Sequence, residues 1–217
     1  MRPNLDILPP EQKLLWPSLS ETPNHFVLYG GTAIALRLGH RVSIDFDFFS
    51  HSDFEPDKLY SEITYLNKSK VIQKAPNTLT CLINNVKVSF FGGLNLGQIS
   101  VPEHVSENKI KIASLIDLFG MKCSTVCVRI EKKDYLDIHA LIYLGKLKLP
   151  EGLAAAKAIY GDQYHPMMTL KALSWFEGGD LGELEKSVKA DILNAVHDVR
   201  LDHLPKLSIN GQIGANR

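Results

Sequence analysis

The residues of this sequence best suited to chemistry are Asp45 and Asp47, in the run Ile44-Asp45-Phe46-Asp47-Phe48. In a strand, residues two apart share a face. The alternation therefore aims both carboxylates one way and predicts that Ile44, Phe46 and Phe48 bury the other side. Neighbouring carboxylates repel, and each is stabilised by a cation close by. Mg²⁺ takes hard oxygen ligands of this kind. For the isolated fragment, an edge strand with two solvated carboxylates is the plain alternative.

The elements ahead of this strand could serve a phosphate. Phe26 to Tyr29 read as a buried strand, Gly30 and Gly31 break the run, and Thr32 is placed to cap a short helix, AIALRLG, ended by Gly39. A Gly-Gly turn lets backbone approach phosphate oxygens without a Cβ clash, and free amides at a helix start suit an anion. The Thr32 hydroxyl could join that cradle. Arg41 and Ser43 lie near enough in sequence to aid a phosphate, although Arg41 reads equally well as a surface residue.

Further along, Pro56 should open a helix through KLYSEITYL. From Lys70 the period changes to two: KVIQKA, TLTCLIN and VKVSFF read as strands separated by turns at Pro76-Asn77 and Asn84-Asn85, and QISV as an edge strand. In VKVSFF, Val86, Val88 and Phe90 would line one face, and Lys87, Ser89 and Phe91 the other. About five strands are expected. After Pro102 the pattern turns helical, with helices over LIDLFGMKCSTVCVRI, KKDYLDIHALIYLG, EGLAAAKAIYG, PMMTLKALSWFE and LGELEKSVKADILNAVHDVRL. The expected organisation is a sheet domain over 1–105, a helical domain over 106–204, and a disordered tail over 205–217. Trp16 and Trp175 are expected in the core.

The ordered string GGTAIALRLGHRVSIDFDFF resembles the signature of the nucleotidyltransferase superfamily, in its AbiEii/AbiGii toxin-type branch. The resemblance implies an α+β fold: a nucleotidyltransferase-like mixed β-sheet with flanking helices plus a C-terminal helical bundle. It also implies Mg²⁺-dependent transfer of a nucleotide from a nucleoside triphosphate to an acceptor hydroxyl, an RNA such as tRNA among the candidates, opposed by a cognate antitoxin. Asp45 and Asp47 would be the metal ligands and catalytic carboxylates; Gly30, Gly31, Thr32, Arg41 and Ser43 would attend the nucleotide. The segment GMKCSTVCVRIEKKDYLDIHAL matches the later part of the family pattern. Lys122 would contact phosphates as a catalytic residue and Asp134 would be the catalytic acidic position, with Lys133 beside it as a further nucleotide-binding residue and Asp137 one turn on. One departure stands out. The superfamily usually carries a third carboxylate on a neighbouring strand, and here that place falls to Ser89, a poor metal ligand. The alternative function is therefore a degenerate nucleotide- or RNA-binding module that keeps the fold without the transfer step. A structural partner subunit is the third possibility.

Composition narrows the classes. The 217 residues carry 24 Lys+Arg and 24 Asp+Glu, so no global field favours nucleic acid or membrane. No apolar run is long enough to span a bilayer, and MRPNLDILPPEQ lacks the core of a signal peptide. The 3 cysteines cannot all pair within the chain, which fits a reducing cytoplasm. Cys123 and Cys127 read as small core residues, and neither a P-loop nor a G-x-S-x-G motif occurs.

Overall fold

A computed structural model describes residues 1–215, and the last two residues of the expected tail lie outside the described chain. It is an α+β fold that divides into two compact units. One comprises Met1–Leu96, Val101–Ser114 and the segment from Gly211 on; the other comprises Gly97–Ser100 and Leu115–Asn210. The first holds the sheet with the helices before Leu96, and the second the helices from Leu115 on.

The sheet unit has seven strands: β1 (Val27–Tyr29), β2 (Asp45–Phe49), β3 (Lys70–Ala75), β4 (Thr78–Ile83), β5 (Val86–Phe91), β6 (Glu103–His104) and β7 (Lys111–Ile112). Their order is β3-β4-β5-β2-β1-β7-β6, so β2 sits at the centre. It runs antiparallel to β1 and parallel to β5. The β4–β5 turn has Asn84 and Asn85 both at positive φ, as a tight hairpin requires. The two strands not anticipated, β6 and β7, are two residues long, too short for a period to show in sequence.

One face of the central strands is apolar. Leu28, Phe46, Phe48, Leu79, Cys81, Val88 and Phe90 are fully buried there. Phe48 stacks on Phe90 at 5.4 Å, and Trp16 leans on Phe46 at 6.1 Å. Burying each such side chain is worth about 1.5–3 kcal/mol. Ile44 does not join this face: it precedes β2 and is 61% exposed. Outside the ladder, nothing enforces its alternation.

The first long helix, α2 (Gly30–Leu38), follows α1 (Pro10–Leu15) and packs beside β1 and β2. Gly39 closes α2 in the left-handed region, as expected. Thr32, expected as a cap, lies inside the helix, and no side chain caps its start. Arg37 fixes α2 to the far edge by donating from Nε to the Ala113 carbonyl at 2.8 Å and pairing with Glu103 at 2.7 Å. A short helix, α3 (Pro56–Glu62), opens at Pro56.

The helical unit contains α4 (Leu115–Thr125), α5 (Lys132–Tyr143), α6 (Leu149–Tyr160), α7 (Pro166–Leu173) and α8 (Lys186–His197). Helices α4 and α6 cross closely because both carry glycine at the contact. A Cβ on Gly120 would meet Ala155 at 2.9 Å, and one on Gly152 would meet Phe119 at 2.7 Å. Tyr135 ties α5 to α7 through the Ala172 carbonyl, and His139 meets Asp191 of α8 at 2.9 Å. Cys123 is buried and unpaired by disulfide, its thiol pushed well up by burial.

Several expectations need correction. Helix α4 ends at Thr125 rather than running to Ile130, and α7 ends before Trp175, which is 56% exposed rather than core. QISV forms no strand; the amides of Ile99 and Ser100 donate instead to the Asp117 carboxylate at 2.6 and 3.0 Å. The expected tail is placed through residue 215: the Ile213 side chain is buried and its carbonyl accepts from the His51 amide at 2.7 Å.

Asp117, fully buried, thus anchors a loop within the helical unit. Asp117→Ala strands both amides, and an unsatisfied buried group costs about 1–3 kcal/mol. Urea unfolding should show a loss of that order or somewhat more, whereas a surface change such as Lys186→Ala should be neutral.

Candidate functional site

The sheet unit brings most of the predicted residues together. Strand register sets which side chains share a face: Asp45 pairs with Lys87 and Asp47 with Ser89 across β2–β5, and Tyr29 pairs with Asp47 across β1–β2. Directly paired residues project to the same side. Asp45, Asp47, Lys87 and Ser89 therefore occupy one face, opposite the phenylalanine core. Both carboxylates are partly exposed, while Ser89 is buried at 2% exposure. Beyond them on the same face lie the aromatic rings of Tyr29 and Phe49, stacked at 5.3 Å.

The Gly30-Gly31 turn lies against this pair. Gly30 has a φ of +75°, and a Cβ there would stand 3.0 Å from Asp47 Oδ2. The absent side chain leaves the carboxylate its room. Thr32 and Ser43 face inward rather than toward solvent. Thr32 Oγ1 lies 2.8 Å from Ser43 Oγ and also hydrogen bonds the Asp45 carbonyl, pinning the entry of β2 to α2. Arg41 donates to the Val42 carbonyl at 3.0 Å.

Lys87 was missed by sequence reasoning as a site residue. Its ammonium lies 3.0 Å from Asp45 Oδ2. The signal was its place in the alternation with Ser89, but only the strand register says that it faces Asp45. Among the described residues, no group of three or more histidines, cysteines or acids is disposed to hold a metal. Two carboxylates on one face still fit Mg²⁺, which is commonly held by one or two carboxylates together with substrate phosphates. The room left at Gly30 agrees with that use.

Lys122, Asp134 and Asp137 lie in the helical unit and form their own cluster. The Lys122 ammonium, 6% exposed, contacts Asp134 Oδ1 at 2.6 Å and Asp137 Oδ2 at 2.7 Å. Arg129 completes it, donating to Asp134 from Nε and Nη2, each at 2.8 Å. Arg129 was not anticipated, because it sits in a segment read as helix. Lys133 stands apart from the cluster, exposed and paired with Glu131 at 2.7 Å.

Burial alone would raise the Asp134 pKa. Hydrogen bonds from Arg129 and the charge of Lys122 outweigh it and hold the carboxyl below its ordinary value of 3.8. A depressed folded-state pKa gives stability that is complete above the unfolded value and lost as pH falls through the folded one. Lys122→Met leaves two buried carboxylates short of a cation, a loss of about 3–5 kcal/mol. Acid titration by circular dichroism should show this variant unfolding at higher pH than the parent. A variant equally stable, but weakened only toward triphosphates, would assign the ammonium to a phosphate instead.

Comparison with known proteins follows the same lines. The family described as nucleotidyl transferase AbiEii toxin, Type IV TA system, matches residues 13–205. An uncharacterized protein of Aquifex aeolicus (strain VF5) is 34% identical over 121 residues, covering 55% of this chain and 58% of its own length. The chain therefore spans under two thirds of that relative. Among solved structures, a protein of H. pylori provisionally described as a nucleotidyltransferase has a TM-score of 0.53 at 17% identity, with 86% of this chain and 92% of that chain covered. MenT4, a nucleotidyltransferase toxin of Mycobacterium tuberculosis H37Rv, has a TM-score of 0.52 at 15% identity, with 88% and 83% covered. At such identities the likeness shows the fold.

Proposed function

Because this chain belongs to the AbiEii nucleotidyl transferase toxin family, we propose that it transfers a nucleotide from a nucleoside triphosphate to an acceptor hydroxyl, with Mg²⁺ as the cofactor. RNA, tRNA included, is the acceptor class, the cytoplasm the compartment, and a cognate antitoxin the opposing partner. One observation carries the reading: two carboxylates share a face of the central strand, with Gly30 close against Asp47.

Asp45 and Asp47 would hold the ion through hard oxygens. Mg²⁺ bound there with the phosphates would neutralise charge at the α-phosphorus and help align the attacking oxygen. The chain's own contributions are positional. Gly30 and Gly31 give the phosphates access to backbone amides near the start of α2. Thr32 and Ser43 set the entry of β2 and so the direction of both carboxylates. Arg41 supplies a cation for the triphosphate, and Asp47, set against Gly30, supplies the second carboxylate. The family pattern gives Lys122 phosphate contact and Asp134 the acidic position, with Lys133 as a solvated auxiliary; buried together with Asp137, Lys122 and Asp134 serve instead to hold α4 to α5 within the helical unit.

A second reading is favoured by Ser89. It stands opposite Asp47, where a carboxylate would strengthen metal binding. A protein that binds triphosphate without transferring it would be the degenerate module.

Thermal shift with the four ribonucleoside triphosphates, with and without Mg²⁺, tests the first reading. The parent should be stabilised by at least one triphosphate only when Mg²⁺ is present. Asp47→Ala should lose that response by about tenfold in affinity or more, with its ligand-free melting temperature nearly unchanged. Parent-like binding by Asp47→Ala would end the assignment. Label passing from the α-phosphate to RNA separates transferase from degenerate module.

A further inference from the structure

We infer that Lys87 is a tethered counter-ion, holding Asp45 in the nucleotide-free protein and passing to the triphosphate when metal and nucleotide arrive together. The inference rests on the assignment of Asp45 and Asp47 as metal ligands. It concerns the order in which that site fills.

Strand β5 presents Lys87 and Ser89 to β2, an ammonium opposite Asp45 and a hydroxyl opposite Asp47. The pair of carboxylates thus already has a cation, 3.0 Å from Asp45 Oδ2. A bare divalent ion approaching Asp45 must displace that ammonium or share the carboxylate with it, and like charges at such range oppose binding. The free protein is therefore a poor site for metal alone.

The contact is also one that can open. The Lys87 side chain is 41% exposed and the Asp45 side chain 29%, and an ion pair in that setting is worth under about 1 kcal/mol. Lysine is a flexible point charge, free to re-aim through its four-carbon stem. A triphosphate brings several negative charges to the same face. Once an ion occupies Asp45, the displaced ammonium has a stronger partner in those phosphates. Metal and nucleotide should therefore bind cooperatively, each raising affinity for the other by the same factor. Lys87 suppresses metal binding without nucleotide and supports nucleotide binding with metal.

Isothermal titration of the full chain measures this with two probes, Mg²⁺ alone and ATP (or the triphosphate found to bind) at saturating Mg²⁺. Lys87→Met keeps the aliphatic stem and removes the charge. It should raise affinity for Mg²⁺ alone by about two- to fivefold and lower triphosphate affinity by a similar factor. Lys87→Arg should restore both values toward the parent's and controls for folding. Asp47→Asn is run in parallel. If Asp47→Asn weakens the metal and Lys87→Met leaves Mg²⁺ affinity unchanged or lower, the metal assignment stands and the counter-ion role is wrong. If Lys87→Met binds triphosphate as tightly as the parent, the transfer to phosphate is likewise wrong. If Asp47→Asn binds Mg²⁺ as the parent does, the metal assignment fails and this inference fails with it.

Discussion

The burial of Phe46 and Phe48 is the constraint on which the sheet unit depends. Both are fully buried at the centre of the sheet, between Leu28 on one side and Val88 and Phe90 on the other. Side chains alternate along a strand, so fixing these rings on one face leaves Asp45 and Asp47 no choice but the other. A slip of one residue would place two carboxylates among phenylalanines, at a cost of several kcal/mol for each charge. The chemistry of the exposed face is thus held in register by the hydrophobic energy of the hidden one. That coupling lets a strand with two repelling carboxylates fold at all.

The same need, a cation beside a carboxylate, is met in two different ways. Asp45 and Lys87 meet in a partly solvated setting, where the pair contributes little and its partners can exchange. Lys122, Asp134, Asp137 and Arg129 meet where the carboxylate side chains are wholly buried. There, losing one member strands a charge in low dielectric, so the cluster behaves as a fixed joint between α4 and α5. Burial, more than distance, separates a contact that can switch from one that holds structure. The interatomic distances in the two clusters are nearly alike.

Backbone demands explain the irregular segments. Asp117 accepts two amides from the loop Gly97–Ser100, giving those donors the partners that a strand neighbour would otherwise supply. Ile213 does the reverse for the sheet unit: an apolar side chain near the end of a polar sequence is buried, and its carbonyl takes the His51 amide. In both places a short polar stretch is ordered by one well-placed acceptor and not by any periodicity of its own.

Local patterns in the sequence were enough for the features that local physics controls. Alternation in β2, the strands β4 and β5, the paired asparagines of the hairpin, the left-handed Gly39 and the helix opening at Pro56 all follow from side-chain period, strand propensity or backbone freedom. The family pattern around Asp45 and Asp47 was readable for the same reason, since its residues are close in sequence. Tertiary structure decided what depends on partners far along the chain. Only register puts Lys87 opposite Asp45, only packing turns Lys122 into a buried link between two aspartates, and only the end of α7 leaves Trp175 in solvent. Types and spacing specify which way a side chain points along its own element; which charge it meets there is set by the neighbouring element, and that neighbour is not written in the local sequence.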